Sequence, residues 1–520
     1  MKLFRRLLAI LMALAVLAAL AGFGWLERTY PARVLGPLKP DVVAVAAGDS
    51  VAVCPGELKL AAEQAGGDVS YDPRFDPRPT SVEATTVALS QGVGAAAVVG
   101  LDQAADGLLE GSTAGAGAAS GGIGGSTHEV GDQPLVVRAT SGSDAPALAT
   151  GGTATVTADG DLRGIAAAAC VTPAVESWLV GGSTELGSSA RLVLVNPGLT
   201  SVTASVKLWD AAGPVDAVGL TGLVIPPGSS RAILLEGIEA DASRLAAQVI
   251  ATGGELGVYL QHSRLNGLTP AGVDLAVPGA APATAVVVPG LDVQASSFDS
   301  AQVSLLRVLN PSDAPAVVSV VLWGPSGPVS LPGLDAVTIG AGMVADLSLG
   351  GLAEGSYVAH LASETPIVAA GLSLRVGQAP SADAGVGVAA PEDFGWSASG
   401  AVSGLVLVAW PQLGDGTQRL VLGSATDTEV AVSLVGTSGV SSPVTVNLSA
   451  GRSVVVSPAD LVDELWSGSG EPVGLRLDVP DDAAVGAALV LVGSDNQTIA
   501  VLTPAGRAAA AQALSLYPAL

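Results

Sequence analysis

Arg191–Pro197 reads RLVLVNP and Leu305–Pro311 reads LLRVLNP. Asn196 and Asn310 stand 114 residues apart (310 − 196), and a Leu-Trp pair follows each, ending at Trp209 and Trp323. Gly-Pro-Val comes next in both copies, at Gly213–Val215 and Gly327–Val329. The same step of 114 leads from Asn310 to Ser424, within RLVLGSA at Arg419–Ala425. There the Asn-Pro and the tryptophan are missing, but the strand pattern remains. Each copy continues with a Gly-containing turn (PPGSS from Pro226, IGAGM from Ile339, LSAGR from Leu448) and an apolar run. Two more strand-like runs close it: Leu245–Thr252 and Glu255–His262, Tyr357–Leu361 and Pro366–Leu374, Val473–Val479 and Ala487–Val492.

Within Val202–Leu208 the alternation is plain. Val202, Ala204, Val206 and Leu208 face one way and Thr203, Ser205 and Lys207 the other. A period of two marks a half-buried strand rather than a helix. Short β-branched runs broken by turn signals every 8–12 residues or so indicate antiparallel sandwiches. The expected fold is all-β: tandem Ig-like antiparallel β-sandwich repeats after a single N-terminal transmembrane helix. The alternative is propeller-like packing of the repeats. A blade needs about 40–50 residues, so one repeat has room for two. The expected divisions are 1–28 (cytoplasmic stub and membrane or signal segment), 29–40 (linker) and 41–171 (N-terminal β domain with a Gly/Ala-rich loop). Three repeats follow at 172–284, 285–400 and 401–520.

The start of the chain sets its compartment. Lys2, Arg5 and Arg6 precede an uncharged apolar run from Leu7 to Leu26. About 20 such residues cross a bilayer core as a helix, and the flanking positive charge keeps that end cytoplasmic. The expectation is a single-pass membrane protein with its body outside the cytoplasm. Secretion after cleavage near Ala21 is the alternative, because Ala19-Leu20-Ala21 fits a small-x-small site. Pro31, Pro37 and Pro40 make the following segment an extended spacer.

Only 3% of the 520 residues are aromatic against 49% hydrophobic, so Ala, Val and Leu must fill the cores. The net charge of −25 lacks the basic footprint that nucleic-acid binding requires. The sequence has two cysteines, Cys54 and Cys170. An even count in an exported chain predicts their pairing, which would close the N-terminal domain on itself.

No catalytic motif emerges. His128, His262 and His360 show neither zinc-ligand spacing nor an accompanying G-x-S-x-G elbow. GGIGGST at Gly121–Thr127 lacks the lysine of a phosphate-binding loop and reads as a flexible loop. Asp159-Gly160-Asp161 and Asp481-Asp482 are candidates for calcium but fit exposed turns better. The 47 acidic residues leave a glycosidase pair open without singling one out. Trp178 with Gly181 and Gly182 is a candidate interaction edge. Against it stands a core tryptophan at a domain junction, beside the predicted disulfide.

Cys170–Pro197 (CVTPAVESWLVGGSTELGSSARLVLVNP), Pro226–Ile238 (PPGSSRAILLEGI) and Leu268–Asp274 (LTPAGVD) together resemble an actinobacterial family of exported proteins, DUF5719. The resemblance runs from about Asp41 to the C-terminus. It implies a single N-terminal anchor, an envelope location and a link to envelope glycoconjugates, with no catalytic residues or cofactor. The expected function is an extracytoplasmic, membrane-anchored structural or interaction protein of the cell envelope, not an enzyme, that presents β domains to a protein partner. Glycan binding and a hydrolase with a carboxylate site are the alternatives. Exposed clustering of Trp396, Trp410 and Trp466 would favour the former, and a cleft holding two close acids the latter.

Overall fold

In the first complete repeat the chain alternates between two sheets. The first sheet orders its strands Glu176–Val180, Ala246–Thr252, Val202–Trp209 and Pro214–Val215, with Leu223–Ile225 also pairing to Val202–Trp209. The second orders them Ser229–Leu234, Ser188–Asn196, Gly257–Asn266 and Thr269–Ala276. All pairings are antiparallel. This computed structural model describes residues 2–29, 41–45, 49–61, 78–91, 96–104, 123–141, 147–378, 390–504 and 512–516, apart from 415, 438 and 469. Most of the expected linker, of the Ala/Gly-rich loop and of the Pro-rich stretch from Asp72 to Pro79 lies outside them.

The same strand order recurs three more times. In the second repeat, Gly355–Val376 is long enough to serve both sheets, pairing with Ala283–Val293 and Ala316–Gly324 in one and with Leu305–Leu309 and Glu392–Ala398 in the other. The third repeat orders Gly404–Ala409, Pro472–Val479 and Thr428–Gly436 in its first sheet. Its second sheet orders Arg452–Val456, Thr417–Ser424, Val485–Val492 and Ile499–Leu502. The N-terminal unit has Ser50–Cys54, Leu135–Ala139 and Ala96–Gly100 in one sheet. The other holds Ile123–Glu129, Val82–Gln91, Leu148–Thr157 and Gly164–Ala169. The order differs from that of immunoglobulin sandwiches, whose sheets run ABED and CFG. The first strand here occupies the place of G, and the strand before the last occupies the place of A.

The units pack into a closed ring. Val53 and Val136 of the N-terminal first sheet share a core with Val193, Tyr259 and Val273 of the next unit's second sheet. Trp178 and Val180 of the first repeat join Leu372, Phe394 and Trp396 of the second. Trp323 and Val358 of the second join Val421, Ala488 and Val490 of the third. Leu407, Val435 and Val473 of the third then return to Val87, Leu89 and Leu148 of the N-terminal unit. Eight sheets thus follow one another face to face, two per unit, as blades do in a propeller. The four last strands, Gly164–Ala169, Thr269–Ala276, Glu392–Ala398 and Ile499–Leu502, meet at the centre.

The Gly-rich GGIGGST corrects its reading as a loop. From Ile123 onward it is a strand, paired along Thr85–Gln91. Its glycines admit close packing: a Cβ at Gly125 would lie 2.5 Å from Val473 Cγ2 of the third repeat. The two cysteines form a disulfide that links the two sheets of the N-terminal unit. That unit's shared core is built of Ala52, Ala88, Val98, Val137, Ala147 and Ala149 around the two sulfurs, and small side chains bury little area.

Ala47–Ala510 forms one compact unit, and Met1–Ala46 with Ala511–Leu520 forms another. In the latter, a 28-residue helix covers Lys2–Thr29, and Asp41–Val45 pairs antiparallel with Gln512–Leu516. Taken over the described residues alone, no helix is long and apolar enough to cross a membrane.

Candidate functional site

Strands at the centre of the ring present unpaired edges, and buried N–H groups there need acceptors. Two aspartates supply them. Asp274, on Thr269–Ala276, accepts from Ala167 N at 3.0 Å and from Trp396 N at 2.5 Å, so it ties three units together. Asp393, on Glu392–Ala398, accepts from Ile165 N at 3.0 Å, Ile499 N at 2.9 Å and Val273 N at 3.3 Å, reaching all three other units. Both are fully buried. Glycines make the room: a Cβ at Gly272 would lie 2.6 Å from Asp393 Oδ1, as would one at Gly164. Burial pushes the Asp393 carboxyl up to about 8 against the pull of its N–H donors. It holds Asp274 well above the carboxylate range too, with the charge of Asp393 adding to the effect. Both acids are spent on backbone N–H groups of neighbouring units. Their chemistry is that of a structural plug.

Another buried carboxylate joins the second and third repeats. Asp292 pairs with Arg375 and, at 2.7 Å, with Arg419 Nη2, and accepts from Ser356 Oγ at 3.1 Å. Arg375 Nη1 reaches Asn496 Oδ1 at 2.9 Å.

An open space lies at the seam between the third repeat and the N-terminal unit. A cavity of about 330 Å³ lies there. Glu83, Thr157 and Arg163 line it from one side and Thr417, Gln418, Ser494, Asp495 and Thr498 from the other, over apolar Val156, Ile165, Leu413 and Leu491. The two turns that frame it are internally fixed. Asp159 accepts from Thr80 N at 2.7 Å, and Arg163 N donates to Gly160 O at 3.2 Å. Across the cavity Asp495 accepts from Gln497 N at 2.9 Å, and Gly493 N donates to Thr498 O at 3.0 Å. Arg163 Nη2 lies 3.7 Å from Asp495 Oδ2, whereas its Nη1 is buried without a partner. Gln418 donates Nε2 to Pro411 O at 2.8 Å, leaving its buried Oε1 without one. The floor is Ile165, whose N–H already serves Asp393. The cavity opens at the end of the ring marked by Thr157. Ser50, where the ring begins, accepts from Ala149 N at the other end of that strand.

A model of a family of unknown function, DUF5719, matches residues 125–459, more than half of the chain. The chain belongs to the DUF5719 family. No curated protein and no solved structure matches it. The DUF5719 match begins inside the strand Ile123–Glu129 and ends inside the helix Pro458–Leu465, so it cuts through the first and last units of the ring.

Within this DUF5719 chain Trp178 is 8% exposed, and Gly181 and Gly182 are buried with it. Trp178 stacks on Trp209 at 5.6 Å and donates Nε1 to Glu176 Oε1 at 2.9 Å. A Cβ at Gly181 would lie 3.3 Å from the Trp396 ring, and Gly182 O accepts from Arg307 of the second repeat. These three residues therefore form an internal seam rather than an outer edge. Trp396 and Trp410 are also buried, and Trp466 donates to Gly470 O, so the three tryptophans make no exposed platform.

The histidines stand apart. His262 is buried, takes a hydrogen bond from Trp396 Nε1 at 3.2 Å, and is held well below its ordinary pKa, first by burial and then by Arg264 and Arg307. His360 stacks on Trp323, and His128 lies 2.8 Å from Ser126 Oγ on one strand face. Among the described residues no group of three or more His, Cys, Asp or Glu side chains is placed to hold a metal. Asp161 is half-buried, and burial raises its carboxyl, while Asp159 is spent on Thr80. Sequence reasoning passed over Arg163, Gln418, Asp274 and Asp393. The signal for the aspartates was an acid within an otherwise apolar strand, Asp274 in AGVDLA and Asp393, next to Glu392, in EDFGWSA.

Proposed function

We propose that the protein is a membrane-anchored interaction protein of the cell envelope, whose ring of β sheets lies outside the cytoplasm and is presented to a protein partner. The observation that carries this reading is the Cys54–Cys170 disulfide, with both cysteines fully buried. Structural disulfides form and persist in oxidising compartments. The apolar run Leu7–Leu26 supplies the anchor, and its helix leaves Leu8, Ile10, Leu11, Met12, Leu17 and Leu20 more than half exposed. Cleavage near Ala21 would give the same body in secreted form. The actinobacterial origin and the link to envelope glycoconjugates belong to this reading as well. A ring closed by packing on every seam suits a rigid platform, since interfaces between pre-organised partners lose least to ordering.

The test is twofold. Protease added to intact cells should digest the tagged body while a cytoplasmic control survives, and in-cell crosslinking should recover one reproducible envelope protein. A protected body, or cysteines that react with maleimide without prior reduction, would sink the reading.

A further inference from the structure

An asparagine loses its amide without an enzyme when three conditions meet. Its side chain must be free, the next backbone nitrogen must be able to reach it, and the backbone must be loose enough to bring them together. The chain has five asparagines. Asn196 and Asn310 are fully buried and precede prolines, which carry no N–H. Asn447 stands in a ladder opposite Glu429, and the next residue, Leu448, is buried. Asn496 accepts from Arg375 Nη1 at 2.9 Å, and the nitrogen that follows it, Gln497 N, donates to Asp495 Oδ1 at 2.9 Å. Asn266 differs on every count. It is exposed and is followed by Gly267, and among the described residues neither its side chain nor Gly267 N has a hydrogen-bond partner.

The place of Asn266 in the fold supplies the looseness. Asn266 and Thr269 close the hairpin between the last two strands of the first repeat, with only Gly267 and Leu268 in the turn. Gly267 has φ +66°, the positive value that a two-residue turn takes at its first central position, and no side chain shields its nitrogen. Behind the closing pair the register shifts between Ser263 and Leu265, so a β-bulge separates the tip from the regular ladder. Asp274 pairs with His262 on the far side of that bulge, so the tip can open while the centre of the ring stays closed. Local opening of such an end costs far less than global unfolding. The homologous turns of the other units, 158–163, 377–391 and 493–498, contain no Asn-Gly.

We infer that Asn266 is a modification site, where the folded protein deamidates through Gly267. Gly267 N attacks Asn266 Cγ and forms a C–N bond. The bond from Cγ to Nδ2 breaks, and Nδ2 leaves as ammonia with the proton from Gly267 N. Solvent water then opens the cyclic imide at one of its two carbonyls. Opening at Cγ leaves aspartate. Opening at the backbone carbonyl leaves isoaspartate, whose main chain runs through Cγ and is longer by one carbon. That extra atom upsets the pairing of Asn266 with Thr269 across so short a turn. Either product also places a negative charge beside Leu268, which is 93% exposed. An aged chain thus presents a charge where a new one presents an amide. The inference depends on neither the membrane anchor nor a protein partner.

It is tested by peptide mapping with mass spectrometry on the folded full chain, aged in detergent at mildly alkaline pH. The peptide holding Asn266 should yield both aspartate and isoaspartate, the latter methylated by isoaspartyl methyltransferase with S-adenosylmethionine. Conversion there should exceed that at Asn447 and Asn496 tenfold or more. Asn266→Gln should keep the unfolding midpoint and give neither product. The wild-type chain aged in urea supplies the unfolded rate, so the test stands even where the variant fails to fold. Conversion at Asn266 only in urea, aspartate without isoaspartate, or equal conversion at the three asparagines would overturn the inference.

Discussion

Asn196 and Asn310 show what a repeated residue does. Each is fully buried at the end of its strand, and its Nδ2 ties two distant backbone segments: Thr200 O and Ile225 O in one, Ala314 O and Ile339 O in the other. Each Oδ1 accepts from the backbone two residues on, at Gly198 and Ser312, which starts the turn after the proline. Ser424 keeps part of this role, accepting from Thr426 N at 3.2 Å. Asn310→Ala should therefore cost about 2–3 kcal/mol in urea unfolding, since it leaves buried carbonyls without donors. Asn310→Ser should cost less. The central carboxylates make a prediction about pH. A carboxyl whose folded pKa is raised above its unfolded value contributes stability that is complete below the unfolded value and is lost as pH rises through the folded one. For Asp393 that window runs from about 4 to about 8. The thermal midpoint should fall between pH 5 and pH 8, and more shallowly in Asp393→Asn. With Asn Oδ1 facing Ile165 and Ile499, only the bond from Val273 is given up. An equal slope in that variant would assign the effect to the overall charge of −25 instead.

At the scale of strands and sheets, the disulfide clamps the weakest core. It joins residues 116 apart in sequence, a loop for which chain entropy gives about 4–5 kcal/mol. Paired Cys54→Ser and Cys170→Ser replacements should lower stability by that order, and reductant should have no further effect on them. The strands themselves were legible where one face stays wet: Val202–Trp209 alternates buried and exposed residues, as its sequence does. The repeat was legible because Asn-Pro and Leu-Trp mark fixed ends of strands. The ring was not. Gly164–Ala169 and Val485–Val492 are buried along their whole length, with one face in their own unit and the other at a seam or at the centre. Continuous burial erases the alternation that tells which unit a face belongs to. The cavity was hidden for a different reason, because its lining comes from stretches far apart in the chain, Glu83 and Arg163 on one side and Gln418 and Asp495 on the other.

For the molecule as a whole, closure makes the units interdependent. Val87 and Leu89 of the first unit are buried by Leu407 and Val435 of the last. Removing the third repeat, by ending the chain after Ser399, would return about 1.5–3 kcal/mol of hydrophobic stabilisation for each such residue. It would also take Ile499 from Asp393. The full chain should unfold in a single calorimetric transition, and the shortened one should show exposed apolar surface by dye binding. A shortened chain that unfolds cooperatively at the original temperature would mean that the units stand alone. Closure also has a temporal consequence. Ribosomes and export machinery deliver a chain from its N-terminus, and domains generally fold as they emerge. Here the first unit's partner face lies in the last quarter of the chain. The N-terminal sheets must wait, sticky and half-covered, until the final strand arrives, so the interval between first and last residue is when this protein is most in need of a chaperone.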